Sequence, residues 1–217
     1  MSPEKVTELF ERFKKINPNP RSELQFQSPY ELLVAVMLSA QATDISVNKA
    51  TEKLYPVANT PEAIVRLGAD GLMPYVKTIN LYPTKSRNIV KMSEILLEKH
   101  HGEVPADRAS LEALPGVGRK TANVVLNAAF GQNTMAVDTH IFRVANRTNL
   151  APGKTVLEVE NRLVAVIPER FMHDAHHWLL LHGRYVCKAR SFRCDECPIR
   201  ELCEYPDKTP AANLPPA

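Results

Sequence analysis

Apolar residues recur along this chain at helical spacing, and capping residues stand where each run begins. Ser2-Pro3-Glu4 sets an N-cap ahead of a proline at the first helical position, and Leu9, Phe10 and Phe13 give the segment one apolar side. Asn17-Pro18-Asn19-Pro20 ends it. Ser28-Pro29-Tyr30-Glu31 is a capping box, and it opens a strongly apolar helix from Leu32 to Leu38. Thr60-Pro61-Glu62 repeats the cap-plus-proline signal. Lys85 to His100 carries Ile89, Met92 and Leu96, with Ile95 and Leu97 offset, so it is also helical. Asp107 is expected to cap a helix reaching Leu114, and Asp138 to cap one over Thr139–Arg147. Val156–Val166 and Ala175–Leu181 complete the set. No run of alternating polarity bounded by hairpin turns occurs, and no repeat of 20–50 residues. The pattern predicts an all-α protein of many short helices. Four prolines and few apolar anchors predict a frayed tail over Pro206 to Ala217.

One connection carries chemistry. Pro115-Gly116-Val117-Gly118 separates two apolar patterns, and Arg119-Lys120 follow at once. Gly116 and Gly118 permit a tight turn with exposed amides, because glycine accepts positive φ. Such amides beside a helix N-terminus suit a phosphate, although the same residues also make a plain αα-hairpin connection. From Arg119 onward Ala122, Val125, Leu126 and Ala129 share one face. Cations are disfavoured at this end of a helix. The helix dipole, the neighbouring Arg119 and partial burial would all work against an ammonium at Lys120, which is what an amine nucleophile requires. Asp138 reads as an N-cap.

Composition adds bounds. The 217 residues are 44% hydrophobic and 24% charged, with a formal charge of +3, so a nucleic-acid partner is permitted but not demanded. No apolar run is long enough to span a membrane, and the first residues lack the apolar centre of a signal peptide, which predicts a cytosolic protein. Cys187, Cys194, Cys197 and Cys203 crowd into one segment, and crowded thiols in the cytosol read as metal ligands. By chemistry alone they fit either tetrahedral zinc or a [4Fe–4S] cluster. Lys188, Arg190 and Arg193 lie between the first two ligands; they are either a solvated face or phosphate contacts held by an anchored loop. His176, His177 and His182 flank the only tryptophan, Trp178, and read as core-facing helix residues.

LPGVGRKTAN, then VDTHIFRVANR, then the four-cysteine segment closely resemble the endonuclease III family. These are bacterial DNA glycosylases and abasic-site lyases of the helix-hairpin-helix superfamily. The resemblance runs from LSAQATD at 38–44 to Cys203. It implies that Lys120 attacks C1′ of a flipped-out nucleotide, with Asp138 as the catalytic aspartate. Gly116, Val117 and Gly118 would form the DNA-binding hairpin. Gln41 would fill the gap left by the flipped nucleotide, and Leu81 would wedge into the opposite strand. Asn80 and Pro83 depart from the family's usual residues; Asn tolerates left-handed backbone, so the turn is expected to survive. The cysteine spacing x6-x2-x5 is the family's [4Fe–4S] signature.

The fold implied is two helical lobes, residues 22–132 with the hairpin and residues 1–21 plus 133–217 with the cluster loop, and DNA in the cleft between them. The expected substrate is double-stranded DNA containing damaged pyrimidines or abasic sites, bound by a monomer in the bacterial cytosol or nucleoid. Three rivals stand beside this reading. An adenine-specific mismatch glycosylase lacks the lysine nucleophile and carries a further C-terminal domain. A non-catalytic hairpin module would cleave no strand, and an iron–sulfur electron carrier would have no affinity for DNA.

Overall fold

The computed structural model describes residues 1–209, and among them it is all helical, with no strand. Ten helices follow in order: α1 (Pro3–Ile16), α2 (Pro29–Ser39), α3 (Asp44–Leu54), α4 (Pro61–Val76), α5 (Tyr82–His100), α6 (Arg108–Glu112), α7 (Arg119–Phe130), α8 (Thr139–Arg147), α9 (Val156–Val166) and α10 (Glu169–Tyr185). The all-α expectation holds. Side-chain caps start the helices where the capping residues predict them. Ser2, Ser28, Thr60, Asp107 and Asp138 each accept a backbone N–H of the first turn.

Three local expectations are corrected. The apolar pattern does not predict α3, since its buried residues Val47, Ala50, Thr51 and Leu54 make only a narrow stripe under a Thr43 cap. Helix α10 runs from Glu169 to Tyr185, well beyond the 175–181 core, because Phe171, Met172 and His182 are buried along it and extend its inward face. At the tail, Thr209 is anchored: its Oγ1 accepts from the Cys194 amide at 3.0 Å and its carbonyl from Arg200 at 2.8 Å. The rest of the tail expected to fray, residues 210–217, lies outside the described residues.

The chain divides into two compact units, Ser22–Gln132, and Met1–Arg21 with the chain from Asn133 onward. Each has its own core. In the first, α2 is apolar nearly all round and buries every residue from Tyr30 to Leu38, as a helix enclosed on all sides must. Leu54, Ile64, Leu72, Ile79, Ile89, Met92, Leu96 and Leu126 pack in the same cluster. In the second unit, Phe10 stacks on Phe171 at 5.7 Å and Trp178 lies 6.2 Å from Phe10. The Trp178 indole N–H donates to the Asn17 carbonyl at 2.8 Å, which satisfies the polar end of a buried ring.

Candidate nucleic-acid interface and active site

The hairpin lies in the first unit. Leu111, Leu114 and Val117 are buried in its core, so the chain between α6 and α7 is pinned at three points. Gly116 stands at φ +79°, and a Cβ there would come within 3.0 Å of both Asn88 Nδ2 and Met37 Cε. Glycine is required at this position twice over. Gly118 corrects the expectation from sequence: its backbone is extended, at φ −96° and ψ 176°, and a Cβ would meet nothing within 4 Å. It gives α7 no side-chain cap, so the helix opens on bare backbone.

Lys120 sits in the first turn of α7, on the exposed surface. The partial burial expected for it is absent, since the residues of this turn that face the core are Ala122 and Asn123 instead.

Asp138 lies in the second unit and caps α8. Its Oδ1 accepts the amides of His140 at 2.9 Å and Ile141 at 2.8 Å. The approach to it, Thr134 to Val137, is buried, so the carboxylate is held by a fixed stretch of backbone on one side and the helix on the other.

Gln41 and Leu81 share an uncommon geometry. Both are non-glycine residues with positive φ, 57° and 59°, and both side chains are exposed, Leu81 at 60%. A large apolar side chain held out on a left-handed turn is costly twice, in backbone and in hydration. Asn80 is not among the described residues with positive φ, which corrects the expectation for that turn. Its side chain instead donates from Nδ2 to the Gln41 carbonyl at 3.1 Å. Pro83 falls in the first turn of α5, where its missing N–H leaves no bond broken.

The four cysteines form no disulfide, and each is partly exposed. Cys197 has its thiol pushed up to about 11 by burial first, with Cys203, Cys187 and Cys194 adding to the shift. Burial raises Cys203 too. Among the described residues no three His, Cys, Asp or Glu side chains gather closely enough to hold a single ion. Lys188 and Arg190 are exposed on the intervening loop, whereas Arg193 is paired with Glu196 at 2.5 Å. His182 lies 3.8 Å from the Cys197 sulfur and is buried, which drives its pKa down to about 4.

Two arginines that no sequence motif singles out hold this loop from α8. Arg147 donates to the Cys187 sulfur at 3.4 Å and to the Lys188 carbonyl at 2.8 Å, and its guanidinium lies over the Phe192 and Tyr205 rings. Arg143 donates to the carbonyls of Cys187 at 2.9 Å and Gly183 at 2.7 Å. Their i, i+4 spacing is the available signal, and it reads as an ordinary charged face until the partners are seen.

An exposed amine at an uncapped helix start behind a glycine turn therefore lies in the same unit as the exposed Gln41 and Leu81 side chains. The model of the HhH-GPD superfamily of base excision DNA repair proteins matches residues 34–169. Endonuclease III of Escherichia coli K12 is 63% identical over 208 residues, covering 96% of this chain and 99% of that protein. Endonuclease III of Haemophilus influenzae is 62% identical over 208 residues, 96% of this chain and 99% of its own. A solved endonuclease III trapped in a covalent intermediate with DNA superposes with a TM-score of 0.88 at 42% identity, covering 94% of this chain and 96% of that one. The chain belongs to the endonuclease III family within that superfamily.

Proposed function

We propose that the protein is a base excision repair DNA glycosylase with abasic-site lyase activity, acting on double-stranded DNA that carries oxidised pyrimidines or abasic sites. The observation that carries the reading is Lys120, an exposed amine at the uncapped start of α7 beside the hairpin. The damaged nucleotide leaves the stack, because C1′ is otherwise out of reach. The neutral amine of Lys120 forms a bond to C1′ as the C1′–base bond breaks, and the base departs with that electron pair. Ring opening gives an iminium between Lys120 and C1′. The iminium acidifies the C2′ proton; its removal expels the 3′ phosphate and breaks the strand, and hydrolysis then frees the lysine. Asp138 supplies the carboxylate that stabilises the developing positive sugar.

The hairpin of Gly116, Val117 and Gly118 receives a backbone phosphate on its amides, and Lys188 and Arg190 add phosphate contacts. Arg193 contributes less, being neutralised by Glu196. Gln41 fills the space of the extruded nucleotide and Leu81 enters the opposite strand; their exposure on left-handed turns supports this. The four cysteines suit a [4Fe–4S] cluster better than zinc. Their x6-x2-x5 spacing, the pattern of the endonuclease III family, supports this, and a cluster would give each thiolate its own iron. When bound, it cross-links the segment from Cys187 to Cys203. The unit running 1–21 and from 133 onward is then the cluster lobe, and 22–132 the hairpin lobe.

The test is Lys120→Gln. The variant should bind damaged duplex yet lose base excision and strand cleavage, and borohydride should trap wild type but not the variant on DNA. A trappable, fully active Lys120→Gln protein would overturn the assignment by pointing to a different amine, and an untrappable variant that still excises the base would favour the mismatch-glycosylase chemistry that works without one.

A further inference from the structure

Lys85, on the first turns of α5, carries its charge into the protein: the residue is only 8% exposed. Burial disfavours its ammonium and lowers its pKa from the ordinary lysine range. A cation in that position needs partners, and it has two. Its Nζ donates to the carbonyl of Leu38 at 2.7 Å and of Ala40 at 2.5 Å. Both lie at the C-terminal end of α2, where carbonyls lack intrahelical donors and the dipole is negative. The next residue is Gln41, whose own carbonyl accepts from Asn80. Asn80 in turn precedes Leu81. Three hydrogen bonds therefore join two segments some forty residues apart in sequence, from one donor residue on each side of the left-handed Leu81.

We propose that Asn80 and Lys85 are positioning residues that lock the Gln41 loop to the Leu81 turn, so that both side chains enter the duplex as one rigid pair. The inference rests on the reading of Gln41 and Leu81 as gap-filling and wedge residues. Left-handed backbone at a residue with a side chain persists only where its surroundings over-determine it. The clamp supplies that constraint by tying each turn to the other. Holding the pair in advance removes the ordering cost that loose loops would incur on meeting DNA. It also makes the two insertions interdependent, so removing the clamp should impair extrusion and leave the chemistry intact.

The experiment compares single-turnover cleavage at an abasic site in duplex with the same site in a single strand, where no base pairing opposes extrusion. The ratio of the two rates is measured for wild type, Asn80→Ala, Lys85→Met, Leu81→Ala and the Asn80→Ala/Leu81→Ala double variant. Asn80→Ala should lower the ratio by roughly fivefold, the equivalent of one net hydrogen bond, and Lys85→Met by ~10-fold or more. The double variant should fall no further than Leu81→Ala alone. Asn80 is exposed, so its variant decides the matter even where Lys85→Met fails to fold. Equal loss on both substrates would mean a purely structural role and overturn the clamp. So would an additive double variant, or an unchanged ratio in Asn80→Ala beside a lowered one in Leu81→Ala. An unchanged ratio in Leu81→Ala itself would refute the wedge reading, and the clamp with it.

Discussion

Asp138 directs a single carboxylate oxygen at two helix amides, and the side-chain charge is not needed for either bond. Asparagine offers the same acceptor and is an equally good N-cap. Asp138→Asn should therefore change unfolding free energy by less than ~0.5 kcal/mol, against ~1 kcal/mol or more for Asp138→Ala. If the charge serves the reaction, the same substitution should slow single-turnover cleavage by ~100-fold, the lower end of what a positioned acid or base contributes. Thermal melts and quenched-flow cleavage on the two variants separate cap from catalyst. A wild-type rate in Asp138→Asn would leave the residue as a cap alone. At this scale the sequence shows the position and one of its roles, because an N-cap is a local signal. It misleads at Lys120, whose exposure depends on which residues of the same turn the core admits.

At the scale of the element, the two hairpin glycines look alike in sequence and differ in the fold. Gly116 combines positive φ with close neighbours from α2 and α5. Gly116→Ala should cost ~1–2 kcal/mol for the backbone alone, with a further loss from the close approaches at 3.0 Å. Gly118→Ala should be within ~0.5 kcal/mol of wild type, since its backbone is extended and the space beside it is open. Its defect should appear on DNA. A methyl group at the uncapped start of α7 would hold a phosphate off the amides, so affinity for any duplex should drop while the melting temperature stays. Chemical denaturation beside equilibrium binding checks both glycines together. Loss of stability in Gly118→Ala, with binding unchanged, would mean that the open space has no partner.

Over the whole molecule the charge is nearly balanced, at +3, so binding to DNA depends on where cations are concentrated. The cysteine loop is one such place. Its Lys188 and Arg190 project from a backbone fixed by Arg143 and Arg147, while Arg193 is tied to Glu196. Replacing Lys188 and Arg190 with alanine should flatten the plot of log affinity against log salt by up to ~1.8, about 0.9 for each phosphate that is no longer neutralised. Damaged and undamaged duplexes should weaken alike, and the cleavage rate at saturation should change far less. Adding Arg193→Ala should change the slope little, because its charge is already met. A salt titration with iron content measured in each variant decides it; equal slopes with iron unchanged would make the loop a solvated face.

Sequence alone determined the helical class, the principal helix starts and the chemical inventory: amine, carboxylate, glycine turn and four thiols. These are local properties, set within a few residues by caps, prolines and apolar spacing. Even there α3 escaped, because four buried residues under a threonine cap make a weak periodic signal. Only tertiary structure decided which glycine is indispensable, that Arg143 and Arg147 hold the cysteine loop, and that Lys85 and Asn80 reach back to the Gln41 loop. The physical reason is common to all three. Each depends on a hydrogen bond or close approach between residues some twenty to eighty positions apart, and no local propensity records a partner at that distance.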